Sequence, residues 1–405
     1  MARKYVWPKG HWSWPFKVTH KHGLRDGEMI FVGGQVDVDD KGTVRHPGDL
    51  AAQTRVAMDH IETVLKELEA DLEDVTKLVM FYVNRGDVDE LKALATVRER
   101  FKGPTPPAIM PVQLPTLAYP GMMVEIEAIA MRGADGKRLA RTAFNPSQRP
   151  DWPFSHGLRC GEMIWVGCQE PRDVAGRVRS PGDPVAQAKL NIENVRGVLA
   201  GFGAELDDVC RINTFYVGHG TAKDWAEAGR IRGNAFKWPG PVGTGVPVPA
   251  LYPQGLALRQ EAVAMLGIDG KKPPRRALRP EGHWDWPIPV NFQQGVKVGR
   301  MIFVGGQVAC EGKAVVLHPD DLVAQTRVTM DYIRTVLAAF GAKLDDVVKV
   351  NTFYKGGASY ERLQKNLEIR SSCFSDPGPT TTGIPLVNLG IEHMEIEVEA
   401  YAMVG

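Results

Sequence analysis

Cys168 and Glu170 are the residues whose types and spacing could most directly support covalent chemistry. A cysteine reacts as a thiolate, and a neighbouring cation is needed to stabilise that charge. His156 and Arg159 precede Cys168 in the chain and are candidate cations. The alternative is a small cysteine buried in a core, which is a common location for this residue type. Both interpretations depend on the elements that position the pair.

Cys168 lies in one of three closely similar stretches. They read GEMIFVGGQV from Gly27, GEMIWVGCQE from Gly161 and GRMIFVGGQV from Gly299. Their separation is the length of a small domain and exceeds one solenoid repeat. The sequence therefore predicts three copies of one fold. We place the copies at residues 1–133, 146–267 and 280–405, joined by polar linkers near 133–150 and 267–279.

Each copy repeats one order of secondary-structure signals. After the hairpin that carries the repeated stretch, apolar residues recur at three- and four-residue steps, which predicts a helix with one buried face. Runs of β-branched and aromatic residues then predict a strand at 75–83, 209–217 and 347–354. A shorter helix, a Gly/Pro-rich turn and a closing strand follow; the closing strands are 123–131, 256–265 and 394–403. The order predicts an α+β fold with two helices on a mixed sheet.

Composition is typical of a globular protein with several cores. The chain has 405 residues, of which 43% are hydrophobic and 24% charged, and its formal net charge is +1. This charge gives no general attraction to nucleic acid or to an anionic membrane, so we expect neither partner. The amino terminus lacks the apolar segment of a signal peptide, and five cysteines fit a reducing compartment. We therefore expect a cytoplasmic protein.

Four segments together resemble the Rid/YjgF family of small enamine and imine deaminases. They are GEMIFVGGQV, AAQTRVAMDHIETVL, LEDVTKLVMFYV and VEIEAIAMRG, and the likeness covers nearly all of each copy. The resemblance implies three chorismate-mutase-like domains in an intramolecular pseudo-trimer, with a barrel-like sheet core, outer helices and a ligand cleft between neighbouring domains. The expected assembly is a monomer of this kind or a dimer of such monomers. Tethering keeps the domains at a high effective concentration and allows the three clefts to differ.

The family's carboxylate-binding arginine is missing from all three copies. The matching turns read Pro107-Ala108-Ile109-Met110, Pro241-Val242-Gly243-Thr244 and Pro379-Thr380-Thr381-Thr382. The family's catalytic glutamate matches Glu125 and Glu397, whereas the second copy has Arg259 at that position. A buried carboxyl of raised pKa can relay a proton to an enamine or hold a water at an imine. An ion pair between domains is the alternative for both glutamates.

Arg259 has two interpretations. Its planar, permanently charged group is suited to binding a substrate carboxylate from the strand, in place of the missing turn arginine. The alternative is a salt bridge to a neighbouring carboxylate of the Glu261 type. The next positions on the same strand face, Glu127, Glu261 and Glu399, are identical in all copies, which favours an ion pair around the pseudo-threefold axis.

The resemblance also predicts the other wall of each cleft, from a neighbour's first hairpin. The family's tyrosine corresponds to His20, Phe154 and Phe292, and its hydroxyl residue to Gly33, Gly167 and Gly305. Cys168 and Glu170 distinguish the second copy. We expect a larger, more apolar pocket for a small-molecule substrate that is cyclic or aromatic.

Tryptophan-rich leaders, GHWSWPF at 10–16 and GHWDWPI at 282–288, precede two of the hairpins. Each either covers a cleft as an aromatic lid or staples a domain edge. His11 and His283 lack further ligands at metal-binding spacing, so we expect no metal and no other cofactor.

Two functions remain open. The first is hydrolysis or deamination of a small enamine, imine or ring-cleavage product, with Glu125 or Glu397 as the acid or base. The second is a noncatalytic metabolite-binding or interaction protein, which the loss of the signature arginine favours.

Overall fold

The computed structural model describes residues 3–405, which form three six-stranded mixed sheets, each with two α-helices. The first has β1 (Lys4–Val6), β2 (Gly23–Asp26), β3 (Met29–Gln35), α1 (Leu50–Glu67), β4 (Val75–Val83), α2 (Glu90–Arg98), β5 (Ala108–Leu114) and β6 (Val124–Met131). The second has β7 (Arg141–Phe144), β8 (Gly157–Cys160), β9 (Met163–Gln169), α3 (Pro184–Ala200), β10 (Val209–Val217), α4 (Ala226–Asn234), β11 (Val242–Val248) and β12 (Leu258–Met265). The three-domain α+β fold is as expected.

The third sheet follows the same plan and adds one small hairpin. Its elements are β13 (Arg275–Leu278), β14 (Gly295–Val298), β15 (Met301–Val308), β16 (Cys310–Glu311), β17 (Val315–Val316), α5 (Leu322–Ala339), β18 (Val347–Lys355), α6 (Tyr360–Ser372), β19 (Thr380–Leu386) and β20 (Ile396–Met403). The strand order is β13-β14-β15-β20-β18-β19, and the other two sheets match it position by position. Only the last pair of each sheet is parallel, because a short helix joins its two strands.

The long helices begin and pack as their sequences predict. Asp49 caps α1, and its carboxylate accepts a hydrogen bond from the backbone N–H of Ala52 at 2.9 Å. Ala57, Ile61 and Val64 recur on one face of this helix and are completely buried against the sheet. Asp321 caps α5 in the same way. This repeated local chemistry places each helix on the outer face of its sheet.

The sequence did not predict one strand of each sheet. Residues expected to form a Gly/Pro-rich turn instead form the edge strands β5, β11 and β19. Proline is tolerated at a sheet edge because a missing N–H breaks no central hydrogen bond there. The expected linkers also contain strands, β7 and β13, each of which becomes the first strand of the following sheet.

The domains contact one another in a cycle. Edge strand β5 lies against β9 of the second sheet, β11 lies against β15 of the third, and β19 lies against β3 of the first. Each domain therefore touches both others. In the strand pairing of residues 3–405 each sheet stays open, so the barrel-like core is not confirmed.

Equivalent residues from the three domains meet at the centre. Phe81, Phe215 and Phe353 form a nearly equilateral triangle, with ring centroids 6.1, 6.1 and 6.3 Å apart. Around them, each conserved glutamate of the closing strands pairs with a cation of another domain, which confirms the expected ion pairs. The pairs are Lys77 with Glu261, Arg211 with Glu399 and Lys349 with Glu127.

Candidate active site

Three interfaces join the domains, and they differ in how much space they enclose. The interface of the second and third domains holds a cavity of about 90 Å³, which we call the 2–3 cavity. The matching 3–1 cavity, between the third and first domains, is about 30 Å³. One buried water needs roughly 10 to 15 Å³ of such space, so the larger cavity holds about six waters and the smaller about two. Of these two matching cavities, the 2–3 cavity has more room for a small organic molecule.

Five aromatic side chains and two ionisable ones line the 2–3 cavity. The second domain contributes Tyr216, Trp225 and Arg232, and the third contributes Trp284, Trp286, Phe292 and Glu397. One guanidinium, that of Arg232, and one carboxyl, that of Glu397, therefore enter the cavity from different domains. Apart from Thr244, the rest of the wall is apolar or glycine, as in most sites for small organic ligands.

Glu397 is the predicted acid of the 2–3 cavity. It lies on the central strand β20 and is 7% exposed. Burial, and then the nearby charge of Glu399, raise the pKa of the Glu397 carboxyl to about 8. The side chain lies over Gly306, where a Cβ atom would overlap its Oε1. At neutral pH the carboxyl is therefore protonated and able to donate a proton.

Glu125 has the same environment in the 3–1 cavity. It lies over Gly34, is 7% exposed, and has a pKa raised to about 8 by burial and then by Glu127. Trp12, Trp14 and Tyr119 surround it on the first domain's side. The structure thus places both predicted acids in matching cavities of unequal size.

The sequence analysis missed Arg232 and Arg370, one in each cavity. They precede the matched residues Phe236 and Phe374 by four positions, where the first copy has Val97. Both arginines lie on the short helices α4 and α6 and are at most 5% exposed. The available signal was an arginine at the same position in two of the three aligned helices.

Arg259 lies at the first interface, between the first and second domains, and is completely buried. Its Nη1 and Nη2 donate to the two carboxylate oxygens of Glu90 at 2.7 Å each, and its Nε donates to Glu170 at 2.9 Å. The carbonyls of Pro111 and Tyr252 accept further hydrogen bonds. These contacts occupy the guanidinium, as in the alternative interpretation of an ion pair, with Glu90 and Glu170 as the partners.

Cys168 lies at the same interface and is 3% exposed. Burial and then the charge of Glu170 raise the pKa of its thiol well above the ordinary value. Glu170 pairs with Arg259 and with Arg172. The expected cations are elsewhere, since Arg159 donates to the carbonyl of Gly267 and burial lowers the pKa of His156 to about 4. The contacts of Cys168 match the interpretation as a buried core residue.

The three hairpin residues lie at three different interfaces. Phe154 packs on Phe101 with ring centroids 6.4 Å apart, Phe292 on Phe236 at 6.2 Å and His20 on Phe374 at 5.6 Å. Phe292 is the one that also lines the 2–3 cavity, and it comes from the same domain as Glu397. The expectation that a neighbour's hairpin supplies the opposite wall is therefore wrong for this cavity. The neighbour supplies β11 and α4 instead.

The empty space expected at Gly33, Gly167 and Gly305 is also absent. A Cβ atom at Gly33 would lie 2.7 Å from the carbonyl oxygen of Thr381, and one at Gly305 would lie 3.0 Å from that of Gly243. These glycines let a neighbouring domain's edge strand approach closely. They serve the packing of domains and add no pocket volume.

The tryptophan leaders line the two cavities. Trp284 and Trp286 face the 2–3 cavity, and Trp12 and Trp14 face the 3–1 cavity. The histidine of each leader bonds the glutamine of the repeated stretch, His11 to Gln35 and His283 to Gln307, both at 2.7 Å. The leaders are thus both fixed to their own domain and part of the cavity walls.

Comparison with known proteins supports a specific relationship. The family described as Endoribonuclease L-PSP matches residues 17–132, 146–265 and 287–404. A RutC family protein of Pyrococcus abyssi (strain GE5 / Orsay) is 30% identical over 117 residues, which is 29% of this chain and 89% of that protein. The 2-iminobutanoate/2-iminopropanoate deaminase of Escherichia coli (strain K12) is 28% identical over 112 residues, 28% of this chain and 86% of that protein.

Two further comparisons concern a bacterial relative and the whole fold. Protein DfrA of Myxococcus xanthus is 32% identical over 133 residues, 32% of this chain and 98% of that protein. The crystal structure of a chorismatase covers 82% of this chain and 93% of its own, with a TM-score of 0.55 and 14% identity. That likeness shows a shared fold alone. Among residues 3–405, no helix is both long and apolar enough to span a membrane.

Proposed function

Because the chain belongs to the Endoribonuclease L-PSP family, also called Rid/YjgF, in three tandem copies, we propose that it hydrolyses the C–N bond of a small enamine or imine in the 2–3 cavity. The observation that carries this proposal is the placement of Glu397. It is a buried carboxyl of raised pKa in the larger of the two matching interface cavities. The cyclic order of domain contacts supports a ring-shaped arrangement like a trimer within one chain.

The proposed reaction uses Glu397 first as an acid. Protonated Glu397 donates its proton to the enamine carbon, and the C=C electron pair forms the new C–H bond, which leaves an iminium ion. The resulting carboxylate then accepts a proton from water while the water oxygen bonds to the iminium carbon. The carbinolamine breaks its C–N bond with transfer of the hydroxyl proton to nitrogen. One water is consumed, and one carbonyl compound and one ammonia are released.

Glu125 offers the same group in less space. The 3–1 cavity is about 30 Å³, so substrate entry there requires its walls to move. We propose that this cavity does not turn over substrate. The first interface has an arginine in place of the acid, so one of three interfaces is active in this proposal.

Ammonia release is the test. Purified protein is assayed with imines generated in situ from small aliphatic and cyclic amino acids, and the variant Glu397→Gln is compared with the matched variant Glu125→Gln. We expect Glu397→Gln to lose most turnover and Glu125→Gln to retain it. Full activity of Glu397→Gln, or equal losses in both variants, contradicts the assignment.

A noncatalytic metabolite-binding protein is the second candidate. The absence of an arginine from all three edge-strand turns favours it, since the family's usual substrate grip is missing. Failure to release ammonia from every tested substrate, together with measurable ligand binding, supports this function.

A further inference from the structure

Arg232 is a buried cation without a carboxylate partner. It is 5% exposed, and within residues 3–405 no carboxylate oxygen lies within salt-bridge distance of its guanidinium. Its Nη1 donates to the Thr214 hydroxyl at 2.6 Å, and its Nε lacks a hydrogen-bond partner in the same part of the chain. A buried guanidinium left this way is costly unless a ligand completes it.

The matching arginine of the other cavity is already satisfied. Arg370 donates from Nε and Nη2 to Asn366 Oδ1, at 3.1 and 2.9 Å, and from Nη1 to the Thr381 hydroxyl at 3.1 Å. Asn366 lies four residues before Arg370 on α6. The residue four before Arg232 is Ala228, which has no polar group to offer. One cavity thus carries a free guanidinium edge and the other does not.

The residues around Arg232 indicate which kind of group the ligand carries besides its anion. Trp225, Trp284, Trp286 and Phe292 line the same cavity, so a flat ring finds aromatic faces on several sides. Glu397 is uncharged below about pH 8, as argued above, and does not neutralise the arginine or repel an anion. A planar group that carries one negative charge matches both features.

We propose that the 2–3 cavity binds a planar, ring-bearing monocarboxylate, with Arg232 as the anchor of its carboxylate. The guanidinium presents a fork of N–H donors to the two carboxylate oxygens. The ring packs among the tryptophans, which places the substituents of the ring toward Glu397. The inference rests on the proposed function only for the reaction that follows binding, and it restricts the substrate to ring-bearing carboxylates.

Binding is measured by ligand-observed NMR titration at pH 7, with benzoate as the probe and benzamide as its neutral counterpart. We expect one benzoate per chain and at least tenfold weaker binding of benzamide. Arg232→Gln is expected to weaken benzoate binding about 10- to 100-fold, the usual range for a lost charged hydrogen-bond pair. Arg370→Gln, the matched control, is expected to bind benzoate as the wild type does.

A second variant keeps Arg232 but gives its guanidinium a hydrogen-bond partner within the protein. Ala228→Asn places on α4 the amide that satisfies Arg370 on α6, so it is expected to weaken benzoate binding although Arg232 is still present. This variant tests the inference even if Arg232→Gln fails to fold. Benzoate binding that is unchanged in both Arg232→Gln and Ala228→Asn overturns the inference, as does an equal loss in Arg370→Gln.

The ammonia assay separates this inference from the proposed function. One outcome is that benzoate binding depends on Arg232 but no ring-bearing imino acid releases ammonia. This outcome contradicts the proposed hydrolysis and supports the carboxylate site at Arg232. If Arg232→Gln releases ammonia as fast as the wild type, Arg232 does not bind the substrate carboxylate, whereas the proposed hydrolysis is supported.

Discussion

Arg259 of the second domain binds Glu90 of the first through two parallel hydrogen bonds of 2.7 Å, and neither side chain has exposed surface. This pair occupies the place where the other interfaces have a glutamate and a cavity. Cys168 belongs to the same change, because its position is Gly34 or Gly306 in the other copies and those glycines make room for the glutamates. A Cβ atom there leaves no space for a glutamate in that conformation. In the second copy, Arg259 in place of the glutamate and Cys168 in place of the glycine thus have one structural cause.

Replacing Arg259 is predicted to destabilise the protein and to leave ligand binding intact. Arg259→Leu leaves Glu90 buried without its cation, whereas Glu170 keeps Arg172, and the expected loss is about 3 to 5 kcal/mol in the free energy of unfolding. Urea denaturation measures the loss, and the double variant with Glu90→Gln is expected to recover part of it. Weaker benzoate binding in a folded Arg259→Leu variant contradicts the structural role.

Adding one methyl group at Gly306 is predicted to impair turnover. The Cβ of Gly306→Ala overlaps Glu397 Oε1, so the carboxyl must leave its position while its chemistry is unchanged. Gly34→Ala is the matched control, because it displaces Glu125 in the 3–1 cavity. Steady-state ammonia release is expected to fall in the first variant alone. Equal rates in both variants show that the position of Glu397 does not matter.

The activity is predicted to depend on the protonated form of Glu397. Its pKa of about 8 means that kcat/KM stays level below that pH and falls about tenfold per unit above it. A pH–rate profile from pH 6 to 9.5, with a substrate that does not titrate in this range, measures the decrease in kcat/KM. A profile that is flat or rising across pH 8 is incompatible with general-acid catalysis by Glu397.

Stability is predicted to fall as pH rises from about 4.5 to about 8. Glu125 and Glu397 have folded-state pKa values raised to about 8 from an ordinary 4.5, so between these values the unfolded chain binds fewer protons than the folded one. Their contribution to the free energy of unfolding therefore decreases from pH 4.5 to about 8 and then levels. Denaturation at several pH values is expected to show a smaller slope in the double glutamine variant. If the free energy of unfolding has the same slope against pH in the wild type and the double variant, the two carboxyls are not the cause of that slope.

The central ion pairs are predicted to contribute far more to the free energy of unfolding than surface pairs do. Lys77→Met leaves Glu261 buried and uncompensated, with an expected loss of about 3 to 5 kcal/mol. The control Lys66→Met breaks a solvent-exposed pair with Glu62, whose contribution is about 0.3 to 0.5 kcal/mol. Urea denaturation of both variants gives the comparison, and similar losses contradict the importance of burial.

Alkylation is predicted to avoid Cys168 in the folded protein. Its thiol is buried and its pKa is raised, whereas Cys373 is partly exposed on the surface. Iodoacetamide at pH 8 followed by peptide mass mapping is expected to label Cys373 first. Rapid inactivation that maps to Cys168 restores the nucleophile hypothesis.

Much of the fold was readable from local patterns. The long helices were predicted because burial on one face imposes a period on the sequence. The strands β4, β10 and β18 begin where runs of β-branched and aromatic residues predict them. The edge strands β5, β11 and β19 were not readable. Their glycines and prolines are typical of turns, and only a neighbouring strand and a neighbouring domain make them extended.

The same limit applies to the candidate site. The family resemblance identified Glu125 and Glu397, and the alignment of the three copies identified Arg259 as the exception at the same position of the closing strand. It missed Arg232 and Arg370, because an arginine on a short helix is usually solvated and nothing local marks it as buried.

The sequence by itself determined that three copies of one α+β domain follow one another, because each copy repeats the same apolar periods, caps and glycines. The tertiary structure alone decided which interface is open. That outcome depends on which side chains meet across the interfaces. Arg259 of the second domain pairs with Glu90 of the first, 169 residues away along the chain, whereas Arg232 of the second domain and Glu397 of the third line one cavity.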